Sequence, residues 1–135
     1  MRILVIDGQG GQLGAALIKA IFEKLPEADV TAIGTNANAS VSMMKAGAKK
    51  VATGENPVVV AAKKADIIIG PIGIVIADSM LGEITPVMAN AVGGASAVRI
   101  LIPVNKCENM VAGISTVPVA VLIEDAVKKL LSVIQ

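Results

Sequence analysis

The run Ile3-Leu4-Val5-Ile6 passes directly into Asp7-Gly8-Gln9-Gly10-Gly11-Gln12-Leu13-Gly14, and this junction constrains the fold more than any other stretch. An apolar run of strand length, then clustered glycines, then an amphipathic helical pattern marks a β-strand handing over to a helix. Such a turn brings backbone N–H groups close to a ligand. An open, mostly parallel α/β sheet is the expected fold, with its pocket at this turn.

The rest of the chain repeats the alternation. Strands are expected at Arg2–Ile6, Asp29–Gly34, Lys50–Ala52, Asp66–Gly70 and Val98–Val104. The fourth is a continuous apolar run of the kind buried on both faces. Helices are expected from Gly11 to about Lys24, stopped by Pro26, and over Ala39–Ala46, ended by Gly47. A third runs from an Asn56 cap with Pro57 at its first position to about Lys64, and a fourth from Thr85-Pro86 to Gly93-Gly94. The last begins near Pro118. In it Val119, Leu122, Ile123, Ala126, Val127, Leu130, Leu131 and Ile134 keep the i, i+3, i+4, i+7 spacing. This predicts a single three-layer domain over residues 1–135 with five strands. The Rossmann-like order 3-2-1-4-5 is expected, with flavodoxin-like 2-1-3-4-5 as the alternative.

Composition narrows the partners. Hydrophobic residues make up 54% of 135, with one Phe and no Trp or Tyr, so the core is aliphatic. Apolar content this high in a small chain points to a homodimer, with a seam expected along Ile72–Ile84. Twelve basic against 11 acidic residues, without a basic run, argue against nucleic acid as partner. The longest apolar run, Ile67–Ala77, is broken by Gly70, Pro71 and Gly73 and is too short for a bilayer, which needs about 20 residues. A lone cysteine, Cys107, and an N-terminus without signal-peptide features lead to an expected cytoplasmic location. Histidine is absent, which removes the commonest zinc ligand and the usual general base. No metal set is assigned.

Polar residues gather just after the strands, at the edge where open parallel sheets bind ligands. Asp7, Gly8, Gln9, Gly10 and Gly11 follow the first strand, and Thr35 and Asn36 the second. Thr53, Gly54 and Glu55 follow the third, Gly70 and Gly73 the fourth, and Asn105 and Lys106 the fifth. These are the expected ligand-binding residues. Turn propensity alone accounts for the glycines and caps, but less well for Gln9, Glu55 and Lys106.

Gly8, Gly11 and Gly14 give the spacing G-x-x-G-x-x-G, used by some nucleotide-binding reductases and epimerases; a nucleotide cofactor is therefore open, its identity unassigned. Two features oppose a dinucleotide. Gly34-Thr35-Asn36 stands where an acidic residue is expected for the ribose. Asp7 precedes the glycines, and a carboxylate ~5 Å from a phosphate costs ~3 kcal/mol. The helix terminus returns only ~0.3–2 kcal/mol, so repulsion wins unless Asp7 points elsewhere. Asp7, Glu55 and Lys106 would instead suit a receiver-like site if the order were 2-1-3-4-5. Cys107 reads better as a structural thiol than as a nucleophile. Asp78 and Glu83 do not align as an acid–base pair on one helix face; they read as helix-start carboxylates or seam groups.

The stretches IDGQGG, GTNA, ATGEN, AKKADIIIGPIGIVIADSMLGEITP and ILIPVNKC resemble a small bacterial family catalogued as domain of unknown function thirty-eight forty-two. The likeness spans nearly the whole chain, and GPIGIVIADSMLGEITP is its most specific part. It implies a complete single-domain Rossmann-like protein and brings no activity or catalytic residue. Three functions are carried forward. The first is a module binding a small metabolite or nucleotide at the glycine turn in a sensing or regulatory role. The second is a nucleotide-dependent enzyme using Asp7, Glu55 or Lys106, and the third a structural subunit without a ligand.

Overall fold

The computed structural model describes residues 1–104 and 108–135. Five parallel strands form one sheet in the order β3-β2-β1-β4-β5. They are β1 (Arg2–Asp7), β2 (Asp29–Gly34), β3 (Lys50–Thr53), β4 (Ile67–Pro71) and β5 (Val98–Ile102). The 2-1-3-4-5 alternative, and the receiver-like site that required it, do not fit this order.

Helices α1 (Gln12–Lys24), α2 (Ala37–Lys45), α3 (Glu55–Lys64), α4 (Pro86–Gly93) and α5 (Val119–Ile134) connect and cover the strands. Alternation along the strands divides the core into two. Ile3, Val5, Ile67 and Ile69 face Leu17, Ile18, Ile21, Met43, Val127 and Leu130 from α1, α2 and α5. Leu4, Ile6 and Ile68 face Val58, Ala62, Met88 and Val92 from α3 and α4. Strands buried on both faces must be apolar throughout, which is why β1 and β4 read as unbroken runs.

Several boundaries shift by a residue or two, and three of the shifts have a clear local reason. Helix α3 starts at Glu55 with Gly54 as its cap, not at an Asn56 cap. Gly54 at φ +104 turns the chain directly off the sheet. Pro57 then sits in the first turn, where an N–H has no intrahelical acceptor to lose. Strand β5 ends at Ile102, because Pro103 supplies no N–H for the ladder. Helix α2 starts two residues early, at Ala37, since the Asn36 side chain accepts from Ala39 N at 2.9 Å. Thr85 caps α4 as expected, accepting from Met88 N at 3.1 Å.

The ladders continue past the strand ends. Thr35 N donates to Asp7 O at 3.0 Å and Gly54 N to Gly34 O at 2.9 Å, so the tips of β1, β2 and β3 are stitched side by side. Between β4 and α4 the chain makes a single 3-10 turn (Ile72–Val75) and then a loop through Thr85. Asp78, Met80 and Leu81 in this loop have positive φ (65°, 56° and 56°), uncommon for residues with side chains. Among the described residues, no helix is long and apolar enough to cross a membrane.

Candidate functional site

The β1–α1 turn is fixed through both its carbonyls and its amides. Gly8 O accepts from Gly11 N at 2.9 Å and Gly11 O from Ala15 N at 2.9 Å. Gln9 O accepts from Asn36 Nδ2 at 2.9 Å and Gly10 O from Ser42 Oγ at 2.8 Å. Its amides are largely used as well, Gly8 N and Gln9 N by the carboxylates of Asp7 and Glu83 and Gly11 N by Gly8 O, so that within the turn only Gly10 N has no acceptor among the described residues. In the first turn of α1, Gly14 N is taken by Asp7 at 2.7 Å. The Gln12 and Leu13 amides have no acceptor inside the helix. A cavity of about 390 Å³ lies at the opposite, amino edge among Arg2, Asp29, Lys50 and Lys64. One of about 300 Å³ lies over the turn itself, floored by Gly8–Gly11 and walled by Pro71 and Met80. Ligands of open α/β sheets bind at the carboxyl ends of the strands, which favours the second.

The glycines of the turn are not equivalent. A Cβ on Gly11 would stand 2.6 Å from Ala39 Cα, and φ there is +73. One on Gly14 would stand 2.6 Å from Met43 Sδ, and one on Gly8 equally close to Met80 Sδ and Thr35 Oγ1. These three let α1, α2 and the Met80 loop close onto β1. A Cβ on Gly10 would meet only Gln12 Cγ, 4.0 Å away. Packing therefore does not require glycine at Gly10.

Two carboxylates approach the turn. Asp7 is 5% exposed and faces the backbone, with Oδ1 accepting from Gly8 N at 2.8 Å and Oδ2 from Gly14 N. Burial pushes its pKa up, against the lowering effect of these two bonds, and the charge of Glu83 adds to the rise. Asp7 thus borders the cavity with both oxygens turned onto backbone amides, which weakens the electrostatic objection raised by its place in the sequence.

Glu83 lies beside the turn on its β2 side, next to the cavity lining rather than part of it. Its Oε1 accepts from Gln9 N at 2.8 Å, Thr35 Oγ1 at 2.6 Å and Asn36 Nδ2 at 2.8 Å. Partial burial would raise its pKa, but hydrogen bonds from Thr35, Gln9 and Asn36 outweigh that and hold it below the usual carboxylate range. From the sequence, Glu83 is expected as a helix-start or seam carboxylate. It comes 74 residues after Gln9, and no local pattern announces the contact. Met80, which closes the wall, is likewise expected only as a seam residue.

The expected site residues divide accordingly. Asp7, Gly8, Gln9, Gly10, Gly11, Thr35 and Asn36 come together around the turn. Gly54 and Glu55 start α3 beyond the tip of β3, and Thr53 Oγ1 bonds Ser40 Oγ at 2.6 Å. Gly70 is buried within β4. Gly73 is buried beneath Ser79, whose Oγ donates to Gly73 O at 2.5 Å, so it does not open onto the cavity. Asn105 and Lys106, with Cys107, lie outside the described residues. Among the described residues, no group of three or more His, Cys, Asp or Glu is placed to hold a metal ion. Of the residues expected at a dimer seam, Ile74, Met80 and Ile84 are buried within the monomer, whereas Leu81 is 96% exposed.

The chain matches the family described as a domain of unknown function, DUF3842, over residues 2–135, and belongs to it. No curated protein and no solved structure matches the chain.

Proposed function

We propose that this member of DUF3842 is a binding module, in a sensing or regulatory role, for a small nucleotide-like metabolite seated over Gly10. The observation that carries the reading is the missing packing reason for glycine at Gly10. Gly10 lines the cavity, and a Cβ there would meet nothing nearer than Gln12 Cγ at 4.0 Å. A glycine in such a place lets a ligand approach the backbone closely. The free amides at the start of α1 supply donors for a phosphate or carboxylate. Asp7, with both oxygens turned onto backbone amides, opposes it only weakly.

An acid–base enzyme is less well supported. Asp7 is committed to two backbone amides and Glu55 stands exposed at the start of α3. A cytoplasmic homodimer belongs to the same reading, its seam centred on the exposed Leu81.

Native mass spectrometry of protein purified from cells, followed by thermal-shift titration with nucleotides, tests the proposal. Gly10→Val should remove the shift while leaving the unfolding transition in place. A bound compound whose affinity is unchanged in folded Gly10→Val protein would put the site elsewhere.

A further inference from the structure

We infer that Glu83 reads the ligand's sugar, selecting a nucleotide with a free ribose diol over one phosphorylated at that position. This rests on the site proposed above. In open α/β nucleotide sites, a carboxylate at the end of the second strand accepts hydrogen bonds from ribose hydroxyls. Gly34-Thr35-Asn36 carries no such group at the tip of β2. The fold brings one there from the loop after β4. Glu83 Oε1 sits 2.6 Å from Thr35 Oγ1 and 2.8 Å from Asn36 Nδ2, beside the glycine turn through its 2.8 Å bond to Gln9 N.

The pattern of bonds matters as much as the position. All three donors converge on Oε1, which pins the carboxylate, and among the described residues Oε2 receives none. An ionised carboxylate is acceptor-only, with room on its second oxygen for further donors. Glu83 is half-buried and bonded to Gln9, which lines the cavity, so its second oxygen is open to a ligand that extends from the turn towards the tip of β2. It therefore suits hydroxyl donors and repels a phosphate in the same place. At ~5 Å and an effective dielectric near 20, that repulsion amounts to roughly a hundredfold in affinity. The loop delivering Glu83 contains three side-chain-bearing residues at positive φ, Asp78, Met80 and Leu81. Such conformations persist only where the surroundings enforce them, and here they aim one carboxylate at the tip of another strand.

Calorimetric titration with ADP-ribose and with its 2′-phosphorylated counterpart, on wild type and Glu83→Gln, decides the matter. Wild type should bind ADP-ribose and discriminate against the 2′-phosphate by on the order of a hundredfold. Glu83→Gln should bind ADP-ribose about tenfold more weakly and lose most of the discrimination. Thr35→Val keeps the charge but loosens it; a severalfold loss of affinity with preference retained is expected.

Failure of wild type to bind ADP-ribose overturns the inference. So does a Glu83→Gln protein that binds and discriminates like wild type. Tighter binding by Glu83→Gln would overturn it too, by showing that the carboxylate occupies the sugar's place. If another compound binds wild type and is lost in Gly10→Val, the site over Gly10 stands and only the role of Glu83 falls.

Discussion

The β1–α1 turn and the loop between the 3-10 turn and α4 each bring one carboxylate to the same place, and the two do opposite work. Asp7 comes from the turn itself and is consumed by it, since both its oxygens accept backbone amides within seven residues. Glu83 comes from a distant loop, and its contacts cross from one segment to two others. A carboxylate adjacent in sequence to a glycine turn is well placed to close that turn. One that arrives from elsewhere is pinned by groups that the local turn does not use up. Sequence proximity to a glycine turn is thus a poor guide to which acid keeps an oxygen free beside it.

The turn half of this comparison breaks most sharply at its glycines. Gly11→Ala forces a side chain into a left-handed conformation and against the α2 backbone at Ala39. Strain and overpacking together should cost roughly 2–5 kcal/mol in urea denaturation. Gly10→Ala should lie within about 0.5 kcal/mol of wild type, as surface substitutions do. If the two variants were equally stable, Gly10 and Gly11 would not be separable into a ligand-facing and a packing glycine.

Asp7→Asn comes next. Asparagine offers one oxygen where Asp7 uses two, and turns an NH₂ towards either Gly8 N or Gly14 N. One buried amide is then left without an acceptor, at about 1–3 kcal/mol. Phosphate affinity should change little, because both oxygens are turned onto backbone amides. A stable Asp7→Asn protein that binds phosphates more tightly would show that the charge of Asp7 reaches the ligand and dissolve the contrast.

Much of this architecture was legible in the sequence, because its determinants are local or periodic. Runs such as Ile67-Ile68-Ile69 must be strands buried on two faces, and the α5 stripe ending in Leu130, Leu131 and Ile134 has one helical period. Thr85-Pro86 and the glycine turn are read within a few residues. The roles of Asp7 and Glu83 were not legible. Whether an acid faces a cavity or its own backbone depends on rotamer and burial, and Glu83 meets Thr35 only through tertiary packing of the loop. Gly73 misled for a similar reason. It looks like a turn glycine after β4, yet a Cβ there would lie 3.0 Å from Ser79 Oγ.

The loop half of the comparison carries Leu81, a large apolar side chain at 96% exposure beside the inward-facing Met80. If the homodimer seam runs there, Leu81→Asp should give a monomer by sedimentation equilibrium, with monomer stability within about 0.5 kcal/mol of wild type. Met80→Asp would not discriminate, because Met80 packs over Gly8 and its replacement would disturb the fold. An unchanged dimer in Leu81→Asp would move the seam elsewhere, and a monomeric wild type would remove it.

The smallest effect expected is the most specific to the pair. Glu83 has a folded pKa below its ordinary value, so its contribution is fully present above about 4.5 and is lost as pH falls through the folded pKa. Asp7 has a folded pKa raised above 3.8, so protonation on falling through that window favours the folded state. The two carboxylates therefore bend the acid limb of the stability curve in opposite directions, and the wild-type curve mixes them. The difference between wild type and Glu83→Gln isolates one sign. It should favour wild type at pH 6 and shrink steadily towards pH 3. Because Glu83 is half-exposed, solvent and salt keep the difference small, and added salt should reduce it further. A difference that instead grew on acidification would mean that folding raises the pKa of Glu83, as it raises that of Asp7, and that the two loops do not divide the work between them.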